Sequence, residues 1–220
     1  MEFPIHVNYE YTDNTYIAAK WLEELPDLFA ADFEVASKYT VKDKELIQFR
    51  LDNKKDLSFE DIRIAKQKIN SNGLSHPKLT VITHLSVGWD KDQSKVIICS
   101  NNTIRNLIYN FLISTNKTQI WHNATFDFGH IYYNTGIIPK NYIDTMLLAK
   151  CILNNANSFK DNVKLKELMA YAYGDWAISK DNFTLEDMWD PNMIRYSATD
   201  SAATYKLYTD IMEDQQKWKI

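Results

Sequence analysis

The sequence is short of the residues that several large enzyme classes require. Only five of its 220 residues are glycine, at positions 73, 88, 129, 136 and 174. No two stand as Gly-x-Gly, and neither Gly-x-x-x-x-Gly-Lys nor Gly-x-Ser-x-Gly occurs. A dinucleotide-binding turn, a phosphate-cradling P-loop and a hydrolase nucleophile elbow are therefore excluded. There are two cysteines, Cys99 and Cys151, and no Cys-x-x-Cys pair. A zinc ribbon and a thioredoxin-type site fall away with it. Both thiols stand in apolar contexts and are expected to be buried, in a reducing compartment. No apolar run approaches the ~18 residues of a membrane-spanning helix. The start, Met1-Glu2-Phe3-Pro4-Ile5-His6, has no basic region followed by an apolar run, so a cytoplasmic location is expected and a membrane association is not. Positive charge is not in excess either: the formal net charge is −4. That argues against a protein that coats duplex DNA by charge alone. It is compatible with an enzyme that gathers carboxylates around divalent cations and keeps a local basic groove.

What remains is an ordinary globular composition, 45% hydrophobic and 25% charged, in a chain long enough to bury a core without disulfides. Hydrophobic patterning predicts helices over 15–25, 103–114, 125–135, 145–153, 164–173 and 193–216. It predicts strands over 28–35, 79–89, 94–99 and 118–122, the second and third forming a hairpin around Asp90-Lys91-Asp92. Strands dominate early and helices interleave later, which indicates an α/β sandwich around a mixed central sheet. Residues 38–75 interrupt this pattern with one helical piece near 59–69. They hold nine Lys/Arg and six Asp/Glu, and read either as a track for a polyanion or as a solvated insertion.

Three groups of acidic residues carry the chemistry. In a strand, residues two apart face the same side, so Asp32 and Glu34 project together while Phe33 turns away. Two carboxylates on one face of an apolar strand repel each other unless a cation lies between them. A second Asp-x-Glu, Asp43-Lys44-Glu45, sits in a polar stretch and reads as a solvated face. The next group is Trp121-His122-Asn123-Ala124-Thr125-Phe126-Asp127, where a strand ends and a helix begins. Asp127 falls in the first helical turn, where a carboxylate complements the helix dipole. Asn123 is placed to cap that helix, Phe126 reads as core and His122 as a strand-end residue. The last group is Tyr196-Ser197-Ala198-Thr199-Asp200. Tyr-x-x-x-Asp also occurs at Tyr9/Asp13, Tyr39/Asp43 and Tyr171/Asp175, but only Tyr196/Asp200 lies within a long helix with small residues between, where positions four apart share a face.

Taken in order, Asp-x-Glu, Asn-x-x-Phe-Asp and Tyr-x-x-x-Asp resemble the three motifs of the DEDD-type 3′–5′ exonucleases. Tyr196 stands four residues before Asp200, and Arg195 occupies the place of the histidine branch, so the likeness is to the tyrosine branch. The flanks Asp144-Thr145-Met146-Leu147-Leu148-Ala149, Lys164-Leu165-Lys166-Glu167-Leu168 and Ala202-Ala203-Thr204-Tyr205-Lys206-Leu207-Tyr208 look like those of bacteriophage family A DNA polymerase proofreading domains.

The resemblance spans about residues 26–210. It implies a ribonuclease H-like three-layer α/β fold, with a central mixed sheet flanked by helices, in a single exonuclease domain over 1–220. It implies two divalent cations, Mg²⁺ or Mn²⁺, chosen by hard oxygen ligands and ~4 Å apart in a two-metal hydrolysis. In that scheme Asp32 bridges both ions, Glu34 and Asp200 complete the site of the attacking water, and Asp127 serves the second ion. Tyr196 orients the water. Asn123, Phe126 and Phe33 line the substrate side. The implied substrate is the 3′ end of single-stranded DNA, in phage replication proofreading or repair. Since the chain ends twenty residues after Asp200, it reads either as a free-standing exonuclease or as the partner of a separately encoded DNA polymerase. Two alternatives stay open: the same chemistry on RNA, and a non-catalytic module of this fold that binds a strand end or a polymerase.

Overall fold

The computed structural model describes residues 6–53, 57–70, 76–152, 163–173 and 184–213. Six strands form one mixed sheet: β1 (Asn8–Thr12), β2 (Leu28–Ser37), β3 (Thr80–Asp90), β4 (Gln93–Ile98), β5 (Thr118–Trp121) and β6 (Tyr142–Asp144), in the order β1-β4-β3-β2-β5-β6. The β2–β3 and β3–β4 pairs are antiparallel, while β1–β4, β2–β5 and β5–β6 are parallel. The expected hairpin is present, closed by the Asp90–Gln93 pair. The short edge strands β1 and β6 were beyond the reach of the sequence pattern, because three to five residues with one or no buried position carry little periodicity.

The period-two alternation of β2 divides the molecule into layers. Phe29, Ala31 and Phe33 point into the main core, with Leu85, Val87 and Ile97 from β3 and β4. Helices α1 (Thr15–Glu24) and α4 (Asn102–Ser114) cover that face through Ala18, Leu22, Ile104, Ile108 and Leu112. Both helices start on an asparagine cap: Asn14 accepts from the amides of Tyr16 and Ile17, and Asn101 from that of Ile104. The opposite face is covered by α8 (Pro191–Glu213), which crosses β2, β3 and β4. Its start two residues ahead of the expected one follows from Pro191, whose fixed φ suits the first helical turn. Helices α6 (Thr145–Ile152) and α7 (Leu165–Tyr173) pack on the far half of α8 through Ala149, Leu168, Met169, Ala203 and Leu207. Helix α5 (Ala124–Thr135) follows β5 and ends at Gly136, whose φ of 71° is the left-handed cap that glycine adopts freely.

Two expectations need correction. The charged stretch after β2 holds two helices in place of one, α2 (Val41–Asn53) and α3 (Phe59–Ile69). Neither buries a side chain, so α2 had no apolar stripe to betray it. Cys99 is buried as expected, but Cys151 is exposed, because α6 turns that position outward. Expected helix ends at 153 and 214–216 lie outside the described residues.

Helix α8 reaches the sheet through small residues. A Cβ added at Gly88 would lie 2.8 Å from the Ser201 carbonyl oxygen and 3.0 Å from the Ala202 amide nitrogen. The hydroxyls of Ser94 and Ser201 meet at 2.9 Å across the same interface. Since backbone stands on both sides, the overlap cannot be relieved by a rotamer change. Gly88→Ala is expected to destabilise the fold by about 1–3 kcal/mol through overpacking. Urea denaturation tests this, and an unchanged midpoint contradicts it.

Candidate active site

Strand β2 outruns its neighbour β5. Their pairing covers only Leu28–Ala30 against Thr118–Ile120, so the second half of β2 has no strand on that side. An extended backbone left this way needs other partners. The amide of Phe33 finds one by donating to Asp127 Oδ1 at 3.1 Å. The gap thus brings the start of α5 against the carboxylate-bearing half of β2. A β-bulge lies between Glu34 and Val35, a device that re-aims side chains at the ends of pairing.

On the α8 side of the sheet, β2 presents Asp32 and Glu34, and α8 presents Tyr196 and Asp200 one turn apart. One carboxylate oxygen from each of Asp32, Glu34 and Asp200 lies within 4.8 Å of the others. Glu34 is 2% exposed, and Asp32 and Asp200 are partly covered. Asp127 is also 2% exposed and lines the same cleft, but stands outside the set of three. Burial holds its carboxyl well above the usual range, the hydrogen bonds from the Phe33 amide and its own backbone oppose this, and the charges of Glu34 and Asp144 add to the rise. Tyr196 is 4% exposed and hydrogen-bonds Asp200. Its phenol is pushed up, first by burial and then by the carboxylates of Asp200, Glu34 and Asp32, which keeps it protonated. Three hard carboxylates this close repel one another in a protein interior, and they match the oxygen donor set of Mg²⁺ or Mn²⁺. The residues fit a divalent cation.

The neighbouring residues revise several expectations. Asn123 does not cap α5: it sits in the left-handed region at φ 64°, and its side chain makes no cap bond. Asp144, at the end of β6, supplies the cap in its place. Its oxygens accept from the amides of Asn123 at 3.1 Å and Ala124 at 2.9 Å, and also from Met146 at 2.9 Å, at the start of α6. The sequence could have offered it as Asp-Thr before an apolar run, an N-cap signal for α6; its hold on α5 depends on β6 lying beside β5. The exposed side chain of Asn123 is left to face the cleft.

Phe126 is half-buried on the cleft wall, tilted against His130 at 5.8 Å, and is not a core residue. Phe33 is 3% exposed and packs edge-on against Trp121 at 5.6 Å and Tyr109 at 6.3 Å. Its ring packs in the main core, while the residue still lines the cleft, where its amide holds Asp127. His122 is a strand-end residue, as expected, with Nδ1 2.8 Å from Thr145 Oγ1 and Nε2 3.0 Å from the Val163 carbonyl. Lys166 was legible only as part of a flanking segment; in the structure its ammonium donates to the Tyr196 hydroxyl at 2.6 Å.

The mixed sheet with helices on both faces, and carboxylates gathered on a central strand, is a ribonuclease H-like architecture. Residues 85–216 match the family model described as 3′–5′ exonuclease. More than half of the chain is covered, and the chain belongs to this family. The match includes Asn123, Asp127, Tyr196 and Asp200 and begins after Asp32 and Glu34, from which α2 and α3 separate it. A search of the curated proteins by sequence found no match. Among solved structures, the chain resembles Brucella melitensis NrnC bound to pGG (16% identity, 98% of this chain and 87% of that one, TM-score 0.57). It also resembles the same protein with bound Mg²⁺ (15% identity, 95% and 80%, TM-score 0.56). Escherichia coli RNase D shares the fold at 13% identity over 96% of this chain and 46% of that one, with TM-score 0.61. Among the described residues, no helix is long and apolar enough to cross a membrane.

Two outcomes follow from the geometry around the cleft. Asp144→Ala removes the cap of α5 and the acceptor of the Met146 amide at the start of α6, and is expected to cost about 1–2 kcal/mol in urea denaturation. The conservative Asp144→Asn keeps an acceptor and should recover part of it; a wild-type midpoint for the alanine variant refutes the assignment. The second concerns pH. Burial lowers His84, His122 and His130 from 6.5 to about 4. The unfolded chain therefore takes up these protons near 6.5 while the folded chain resists until about 4. Their contribution is complete above 6.5 and is lost as pH falls towards 4, by roughly 1–2 kcal/mol per histidine at pH 5. Asp127, with its raised carboxyl, acts in the opposite sense but is one group against three. Urea midpoints measured with chelator present should fall from pH 7 to pH 5, and a flat profile would contradict this.

Proposed function

We propose that the chain is an active, metal-dependent 3′–5′ exonuclease that hydrolyses the terminal phosphodiester of single-stranded DNA. The observation that carries this reading is the convergence of Asp32, Glu34 and Asp200 within 4.8 Å in a cleft shared with Asp127 and Tyr196. Asp32, Glu34 and Asp200 would hold the first divalent cation, and Asp127, with Asp32, the second. When bound, such cations lower the pKa of water and neutralise charge on the phosphoryl oxygens. The chain's own residues do the rest. Tyr196, neutral and fixed between carboxylates, orients the attacking water by its hydroxyl. The water oxygen adds at phosphorus, the penultimate nucleotide's 3′-oxygen leaves with a proton, and a 5′-mononucleotide is released. Asn123 and Phe126, on the exposed wall of the cleft, hold the terminal nucleotide.

A single strand fits such a site, because a duplex end must unpair before its last phosphate reaches the carboxylates. The α2–α3 arm supports a polyanionic substrate. Residues 38–75 carry three more positive than negative charges, against −4 for the chain as a whole. Phe49 and Phe59 stand exposed on it, a mixture of cations and aromatics suited to a single strand. At its root Lys38 lies 5.6 Å from the ring centre of Tyr133, on the same helix that carries Phe126 into the cleft. DNA is favoured by the flanking segments that resemble phage polymerase proofreading domains, and a separately encoded polymerase is the natural partner on that reading. RNA is the second reading, because RNase D, a relative in fold, is an exoribonuclease involved in structured RNA processing.

The test is digestion of 5′-labelled single-stranded DNA and RNA of one sequence, with Mg²⁺, Mn²⁺ or chelator. A metal-dependent ladder shortening from the 3′ end is expected, faster on DNA. Asp32→Ala and Asp127→Ala should each lower the rate by at least about 100-fold while remaining folded. Faster digestion of RNA moves the substrate to the second reading. Strand binding that ignores chelator, without cleavage in any metal, would establish a binding module in place of an enzyme.

A further inference from the structure

Lys166 is the second residue of α7, and its position is set by packing. Leu168 and Met169, on the same helix, are fully buried against α6 and α8. From this anchored turn the ammonium reaches Tyr196 in two ways: it donates to the hydroxyl at 2.6 Å and lies 3.9 Å from the ring centre. We propose that Lys166 is a positioning residue that sets the direction in which Tyr196 presents its hydroxyl proton; the proposal rests on the exonuclease reading above.

A phenol has one proton to donate and oxygen lone pairs to accept with, whereas an ammonium has three protons and no acceptor. With Lys166 against its oxygen, Tyr196 cannot turn its proton that way. The proton must point to the other side, towards Asp200 and the place where the attacking water would stand as its acceptor. The cation above the ring face adds an attraction that resists rotation of the ring. Its charge also offsets part of the field of three carboxylates beside a nearly buried side chain. Without the ammonium, the hydroxyl could rotate its proton out of the cleft, and the water would lose its orienting partner in a fraction of the bound complexes. Tyr196 alone does not specify its own donor direction; α7 supplies it.

The experiment is steady-state digestion of a 5′-labelled single-stranded DNA at saturating Mg²⁺ and Mn²⁺. The proteins are the wild type, Lys166→Met, Lys166→Arg, Tyr196→Phe and the Lys166→Met/Tyr196→Phe pair. Lys166→Met is expected to lower kcat by about 10- to 100-fold, the scale of a misplaced reacting group, with KM within about twofold. Lys166→Arg, which keeps a cationic donor, should recover most of kcat. In the Tyr196→Phe background, the lysine substitution should change kcat by less than about twofold, because the hydroxyl it acts through is gone. A wild-type kcat for Lys166→Met overturns the proposal. So does a raised KM at unchanged kcat, or a full multiplicative loss in the double variant; either would make Lys166 a substrate contact independent of Tyr196. Should the methionine variant fail to fold, Lys166→Gln enters the same comparison. An inactive wild type refutes the exonuclease reading itself, whereas an active wild type with an indifferent lysine refutes only this proposal.

Discussion

Mutual repulsion of carboxylates is the constraint around which this molecule is arranged. Asp32, Glu34 and Asp200 bring oxygens within 4.8 Å of one another in partly buried positions, and such a cluster lowers the stability of any fold that lacks a compensating charge. The structure contains it with rigid supports. Asp32 and Glu34 lie on a central strand paired on one side with β3. Asp200 lies on a helix pressed closely against that sheet. Asp127 is tied to the Phe33 amide that β5 leaves unpaired. Each carboxylate is positioned by backbone or by core packing, and none depends on a flexible loop among the described residues. A divalent cation held between them would turn this repulsion into attraction.

The close approach of α8 is what makes the arrangement possible. Gly88, Ser94, Ala198, Ser201 and Ala202 keep that interface thin, and Gly88 leaves no room for even a methyl group. A thicker interface would lift Tyr196 and Asp200 away from β2 and open the cluster. The second support runs through β6 and α7. Asp144 fixes where α5 starts, and α7 carries Lys166 to Tyr196. Neither residue belongs to the acidic set: Asp144 caps the helix that carries Asp127, and Lys166 meets the hydroxyl of Tyr196.

The arm formed by α2 and α3 is built on a different principle. It buries no side chain and is held locally, by the Ser58–Asp61 capping box and by the bonds of Thr40 to Asp43. It interrupts the chain between the first two acidic motifs without disturbing the sheet, because β2 and β3 pair across its base. The family match begins at Leu85, and Asp32 and Glu34, ahead of it, line the same cleft.

Much of this was legible from residues alone, where the signal was periodic or capped. The alternation of β2, the helix over 59–69 and the hairpin at Asp90–Gln93 followed from local pattern, and the ordered acids named the cleft. The two short edge strands and α2 were not legible, having almost no buried face to print on the sequence. Nor were the roles of Phe33, Phe126 and Asn123. Whether a ring enters the core or the cleft wall depends on which neighbours arrive from other elements, and an asparagine ceases to be a cap once an aspartate from β6 takes its place. The sequence by itself determined which residues carry charge and which face of each element they share, since those follow from side-chain chemistry and backbone period. Only the tertiary structure decided that β5 would end early, that Asp127 would bond to β2, and that Lys166 would meet Tyr196. These are contacts between segments far apart in the chain, set by packing geometry that no local pattern encodes.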